Sequence, residues 1–311
     1  MAALGVLVAA AVARSRSGSR WATGDDPCGP DGLRLPDGDA RTVTTDDGAE
    51  LEVLVAGRAS APTVVLPHCW TGTKEIWAPV ARRLVEGGHR VVLYDQRGHG
   101  GSTLGSGPMS VDRLGEDLLA VLDEVGGTDL VLAGHSMGGM TVQALAVNHP
   151  DVVRARVRGI ALVSTAARAV GLPLPAAVVH RVLGDRSSGV FAKRSAGLSR
   201  GAVGVQAFES HVRATGDAFA ATSGAARAGF LVGMSRMDYR AGLASIAVPV
   251  RVLVGTHDRL TPVARARVLA EGIPGARLDV LPGLGHMLPL EAPDLVAEVI
   301  TSLGSSAPVL A

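Results

Sequence analysis

Ser136 is a small hydroxyl residue set among glycines. The segment Gly134-His135-Ser136-Met137-Gly138 follows the apolar run 129–134 and leads into a stretch of helical character. A strand that turns sharply into a helix strains the serine backbone, needs glycines where the two elements close together, and leaves Oγ projecting from the strand's end. Such a hydroxyl can attack a carbonyl. Serine is a weak nucleophile at its free pKa, so this chemistry also demands a base and a group to orient that base. The competing reading, a glycine-rich turn with an N-capping serine, demands neither.

Among nine histidines, position singles out His286, in a loop after the short strand-like run "RLDVLP" and before a helix expected to start near Pro293. Asp258 closes "VRVLVGTHD", again at the carboxyl end of an apolar run. Loops at that edge of an open α/β sheet converge, so both side chains can reach Ser136. The chain order Ser136, Asp258, His286 is that of nucleophile, orienting acid and base in one recurrent arrangement. Asp258 also suits an N-cap for a helix over 262–272, and the two roles are compatible. The Met137 N–H, at a helix N-terminus, is placed to hold an oxyanion.

The elements that must position these residues are legible as a rhythm. Runs at 62–67, 90–95, 129–134, 159–164 and 248–255 are apolar without polar alternation, as strands buried on both faces are. Helix-like segments lie between them, including 77–86, 111–125 and 140–148. Ahead of them, "RTVTTDDGAELEVLV" predicts a hairpin turning at Asp46-Asp47-Gly48. The expected fold class is α/β, a mostly parallel eight-stranded sheet with helices on both sides. The rhythm breaks once, over 168–240, which predicts a helical insertion above the sheet's carboxyl edge. The expected organisation is a lead-in over 1–40, a core over 41–167 and 241–311, and this cap.

Composition narrows the function. The chain has 311 residues, net charge +1 and 19% charged residues, with no basic patterning that would mark a nucleic-acid binder. Only Lys74 and Lys193 among thirty basic residues are lysines, so arginine abundance reflects composition rather than a binding face. The insertion carries ten Lys/Arg against four Asp/Glu, which suits a solvated face or attraction of anionic substrates. No metal-binding or nucleotide-binding motif occurs, so no cofactor or metal is expected. Residues 1–13 are apolar but too short to span a bilayer comfortably. A cytoplasmic protein with an irregular start is the expectation, with membrane association or export through these residues as the alternative. Cys28 and Cys69 leave one disulfide open, and oligomeric state is not encoded.

The sequence resembles the α/β-hydrolase superfamily, in its serine-nucleophile esterase and lipase-like branch, over about residues 42–303. The resemblance rests on "GHSMGG", "GTHDRLTP", "LPGLGHMLPLEAP" and "YDQRGHGGS". It implies Ser136 as nucleophile, His286 as general base and acid, Asp258 as orienting carboxylate, 168–240 as a cap, and Asp95, Arg97 and Gly98 as parts of a structural turn. The family's usual His-Gly-x turn reads His68-Cys69-Trp70 here. The Trp70 N–H then joins Met137 in the oxyanion hole if the turn keeps its shape, Cys69 being either in ordinary backbone geometry or the seat of an altered turn. Relatives that attack with aspartate, the epoxide hydrolases and haloalkane dehalogenases, are excluded by serine at 136. Hydrolysis of a small-molecule carboxylic ester is the expected activity. Perhydrolysis, acyl transfer on the same residues, and a non-catalytic binder of this fold are the alternatives. Phe191, Phe208 and Phe230 either line an acyl pocket or form the cap's own core.

Overall fold

The computed structural model describes residues 21–168, 175–184 and 199–305; the apolar start 1–13 and Phe191 lie outside them. Each of the five buried apolar runs forms a strand, and the expected hairpin and the run before His286 supply the other three. In chain order they are β1 (Gly38–Thr44), β2 (Glu50–Ala56), β3 (Thr63–Pro67), β4 (Arg90–Tyr94), β5 (Leu130–His135), β6 (Val157–Val163), β7 (Val250–Gly255) and β8 (Arg277–Leu281). They make one eight-stranded sheet in the order β1-β2-β4-β3-β5-β6-β7-β8. Pairing is parallel from β4 through β8, while β2 runs antiparallel to both β1 and β4. The expected α/β class is the observed one.

Period-two alternation explains why the strands looked uniformly apolar. On β5, Leu130 and Leu132 point into one core with Leu118, Leu122, Val142 and Leu145, while Val131 and Ala133 point into another with Trp77, Leu84, Val296 and Ile300. Helices Val111–Val125 and Met137–Asn148 therefore cover one face, and Ala78–Glu86 and Pro293–Ser305 the other. The helix expected over 140–148 begins three residues earlier, at Met137, because Ser136 itself is its N-terminal boundary.

The turn "YDQRGHGGS" is a knot of buried charge. Asp95 accepts from the Lys74 amide (2.8 Å), Lys74 Nζ (2.7 Å) and Gly101 N (3.0 Å), and Gly98 supplies a φ of 74°. Arg97 forks onto both oxygens of Asp47, in the β1–β2 turn, and both of Asp117, on the helix Val111–Val125. These side chains spend their charges tying the turn to Lys74, Asp47 and Asp117, which suits the structural role the resemblance implied.

Between β6 and β7 the chain leaves the sheet. The described part of this insertion is helical: Ala176–Leu183, Glu209–Ala221 and Gly224–Met234. An isolated bridge between Arg168 and Asp238 brings its two ends together, with Tyr239 N donating to Ala167 O at 2.8 Å. Buried Arg227 binds the insertion's helices to one another through the carbonyls of Leu183 (3.3 Å) and Phe219 (3.0 Å). Phe230 is fully buried against Met137, Met140 and Leu114, so it belongs to the packing between insertion and core. Among the described residues no helix is long and apolar enough to cross a membrane.

Candidate active site

Ser136 occupies the crossing of β5 and the helix Met137–Asn148 with φ 53° and ψ −113°, a conformation L-residues avoid. Its neighbours enforce it. The Ser136 N–H donates to Val163 O (2.9 Å), and its carbonyl accepts from Thr165 Oγ1 (2.7 Å) and Met140 N (3.1 Å). A Cβ on Gly134 would collide with the Gly138 backbone, and one on Gly138 with the carbonyl of Pro67. Strand and helix thus meet with no room for side chains, which is the physical content of the glycine spacing. Oγ makes no hydrogen bond to another described residue, so Ser136 is not a side-chain N-cap.

His286 and Asp258 come together as a buried pair, with Nδ1 donating to Asp258 Oδ2 at 2.9 Å. The carboxylate is saturated. Oδ1 accepts from the amides of Leu260 (2.9 Å) and Thr261 (2.8 Å), and Oδ2 accepts from Thr261 Oγ1 (2.8 Å) as well as from His286. Burial alone would raise its pKa, but the His286 charge, then the hydrogen bonds from His286 and Thr261, hold it below the usual value. Asp258 does not cap the following helix, as its sequence position also allowed. That helix starts at Val263 after Pro262 and has no side-chain cap, because the Asp258 oxygens are consumed by its own turn.

Ser136 and His286 are joined through His135, whose ring centroid lies 5.1 Å from that of His286. His135 Nε2 donates to the His286 carbonyl at 2.8 Å. Burial, with His286 as a further cause, lowers the His135 pKa to about 3, so the ring is neutral and serves as a fixed donor.

In the turn after β3, Cys69 leaves the backbone unstrained at its own position. The positive φ falls on Thr71 (58°), and Cys69 is in ordinary backbone geometry. His68 Nδ1 donates to Cys69 O (2.8 Å) while its Nε2 accepts from Gln96 N (2.9 Å); Gln96 in turn joins His68 O (2.6 Å) to Thr141 (2.6 Å) on the helix after Ser136. Trp70 Nε1 donates to Arg227 O (3.1 Å), so the turn is also fastened to the insertion. The N–H groups of Trp70 and Met137 have no backbone acceptor among the described residues. Burial pushes the Cys69 thiol up to about 12, which makes it a poor nucleophile.

Three side chains around the pair escaped sequence reasoning: His135, Thr261 and Glu291. Glu291 was visible as a lone acid in the apolar run "HMLPLEAP", and Thr261 as a hydroxyl three residues past Asp258. Elsewhere, Asp26, Cys28 and His211 are the one group of three possible metal ligands among the described residues. Asp26 accepts from Cys28 N, Ser210 Oγ and His211 Nε2, and Cys28 Sγ donates to Leu290 O, which staples the lead-in to the helix Glu209–Ala221. Both cysteines are free.

The family model for the alpha/beta hydrolase fold matches residues 62–293, and the chain belongs to that family, on its esterase and lipase-like branch. It is a hydrolytic enzyme of this superfamily acting on a small-molecule substrate. It is 28% identical over 258 residues to 3-oxoadipate enol-lactonase 2 of Acinetobacter baylyi, covering 81% of this chain and 91% of the relative. It is also 28% identical over 262 residues to the bifunctional esterase/perhydrolase DCH of Acinetobacter calcoaceticus, covering 79% and 93%. Among solved structures, a thermophilic esterase from Thermogutta terrifontis is similar at a TM-score of 0.71 with 26% identity, covering 85% of this chain and 97% of that one.

Proposed function

We propose that the protein is a serine hydrolase of carboxylic esters. The observation that carries this reading is the buried His286–Asp258 pair, joined through His135 to a serine held at φ 53° whose hydroxyl makes no hydrogen bond to another described residue. His286 Nε2 takes the proton of Ser136 as Oγ attacks the ester carbonyl carbon, and the oxyanion is held by the N–H groups of Met137 and Trp70. Collapse expels the alcohol, which leaves with the proton from His286. Water then attacks the acyl-enzyme with His286 again as base, releasing the acid and restoring Ser136. Asp258, charged throughout, fixes the imidazole tautomer and stabilises the imidazolium. The cycle calls on no metal or cofactor. In this reading the insertion acts as a cap, its Arg227 carbonyl holding Trp70 Nε1 and so the turn after β3.

The names of the relatives support acyl chemistry, since a lactone is a cyclic ester and one relative is an esterase. The same relative is a perhydrolase, which favours a second reading in which hydrogen peroxide replaces water at the acyl-enzyme. The test is turnover of p-nitrophenyl esters from acetate to palmitate, with a parallel search for peracid from peroxide and a short carboxylic acid. The expected result is ester cleavage with an optimum chain length that sizes the pocket. Peracid without ester cleavage would make the second reading the main one. No turnover of any acyl substrate would point to a binding protein and overturn both.

A further inference from the structure

Glu291 is a buried carboxylate that makes no ion pair among the described residues. It sits at the end of the short helix Leu288–Glu291 and gives its oxygens to backbone amides. Oε2 accepts from Gly285 N (2.9 Å) and Gly204 N (2.7 Å), and Oε1 from Met287 N (3.0 Å). Gly285 and Met287 flank His286. The His286 N–H donates to Ala202 O (2.7 Å), and its carbonyl accepts from His135 (2.8 Å). Three successive amides, 285 to 287, are thereby fixed from outside the loop.

Burying a carboxylate in an apolar run is costly unless strong donors replace its water. Charge-assisted amide bonds do this, and they draw the donors into one geometry. A local cap explains only the Met287 bond, which resembles the reach-back half of a capping box. Gly285 and Gly204 lie outside that helix, 81 residues apart in sequence, and their backbones touch. A Cβ on Gly285 would collide with Gly204 N and the Val203 backbone, and Val205 N donates to Gly283 O at 3.1 Å. The insertion segment 199–205 and the His286 loop are thus bonded at Ala202, Gly204 and Val205, with Glu291 beneath.

We propose that Glu291 is a positioning residue that locks the His286 loop to insertion segment 199–205, so that base and cap segment keep or lose their places together. The positioning claim rests on His286 being the base, whereas the lock itself does not. The test is Glu291→Gln, which keeps the shape but replaces one acceptor oxygen with an amide that faces N–H groups. Hydrogen–deuterium exchange is expected to rise in peptides covering both 199–206 and 283–288. With the ester substrates, kcat is expected to fall on the order of 10–100-fold, the scale of a base displaced by about 1 Å, with KM changed less than about twofold. If Glu291→Gln does not fold, Glu291→Asp, which keeps the charge but is too short to reach all three amides, is read in the same way. Unchanged exchange, or a rise in only one of the two segments, overturns the lock. Faster exchange in both with kcat intact overturns the positioning role. Were the wild type inactive on all acyl substrates, the exchange arm would still decide the lock, and only the hydrolase reading would fall.

Discussion

Ser136→Ala is expected to lower kcat/KM for any cleaved ester by about 10⁴–10⁶-fold, the loss seen when a serine nucleophile is removed from a triad. The folded state should hardly notice. Oγ forms no hydrogen bond to another described residue that alanine would forfeit, and φ 53° is as unfavourable for alanine as for serine, so the backbone strain is unchanged. Calorimetry and the ester assay on the same preparation separate the two effects. Ser136→Gly should be equally inactive yet more stable by about 1 kcal/mol or more, because glycine adopts a positive φ without a Cβ penalty. Activity retained in the alanine variant would remove Ser136 from the chemistry.

The largest expected loss of stability is in Arg97→Met, at about 3–5 kcal/mol by denaturant unfolding, the range for deleting one partner of a buried ion pair. Arg97 is fully buried and bonds to Asp117 at 2.5 and 2.6 Å, to Asp47 at 2.6 and 2.9 Å, and to Leu104 O at 2.9 Å. Methionine fills the stem's space but leaves two carboxylates facing each other. Arg113, 3.3 Å from Asp117, offsets only part of that repulsion. The network also sets acid tolerance. The Arg97 hydrogen bonds hold the Asp47 carboxyl well below the usual carboxylate range, while burial raises that of Asp117, so the acid-labile contribution is that of Asp47. A carboxyl with a depressed folded pKa contributes stability above its unfolded pKa, about 3.9, and loses that contribution as pH falls through the folded value. The wild type should therefore weaken on acidification below about pH 4. Arg97→Met, already without this contribution, should show a flatter dependence there. Equal stability of the two proteins at pH 7 would refute the assignment.

What could be read in advance followed from local constraints. β3, β4, β5 and β7 were legible because strands buried on both faces must be apolar throughout. The crossing at Ser136 was legible because Gly134 and Gly138 are the only residues that fit where β5 meets the helix. Asp258 and His286 were legible from their places at strand ends. The partners of those residues were not, because tertiary contact chooses them. Nothing local says that Glu291 binds Gly204, that His135 donates to the His286 carbonyl, or that Trp70 reaches the Arg227 carbonyl. The N-cap role of Asp258 failed for a related reason. An aspartate ahead of a helix is a good cap until its own turn takes both oxygens. The sequence also left Phe230 between pocket and core, a choice that only its burial against Met137 and Met140 decides.

The most direct test of the central claim is covalent labelling with a fluorophosphonate, read by intact mass and peptide mapping, on wild type and on His286→Ala. The predicted result is one adduct per chain, on Ser136, forming orders of magnitude more slowly without His286. An active esterase whose adduct lies on another residue, or whose Ser136 labels at the same rate without His286, would contradict the account.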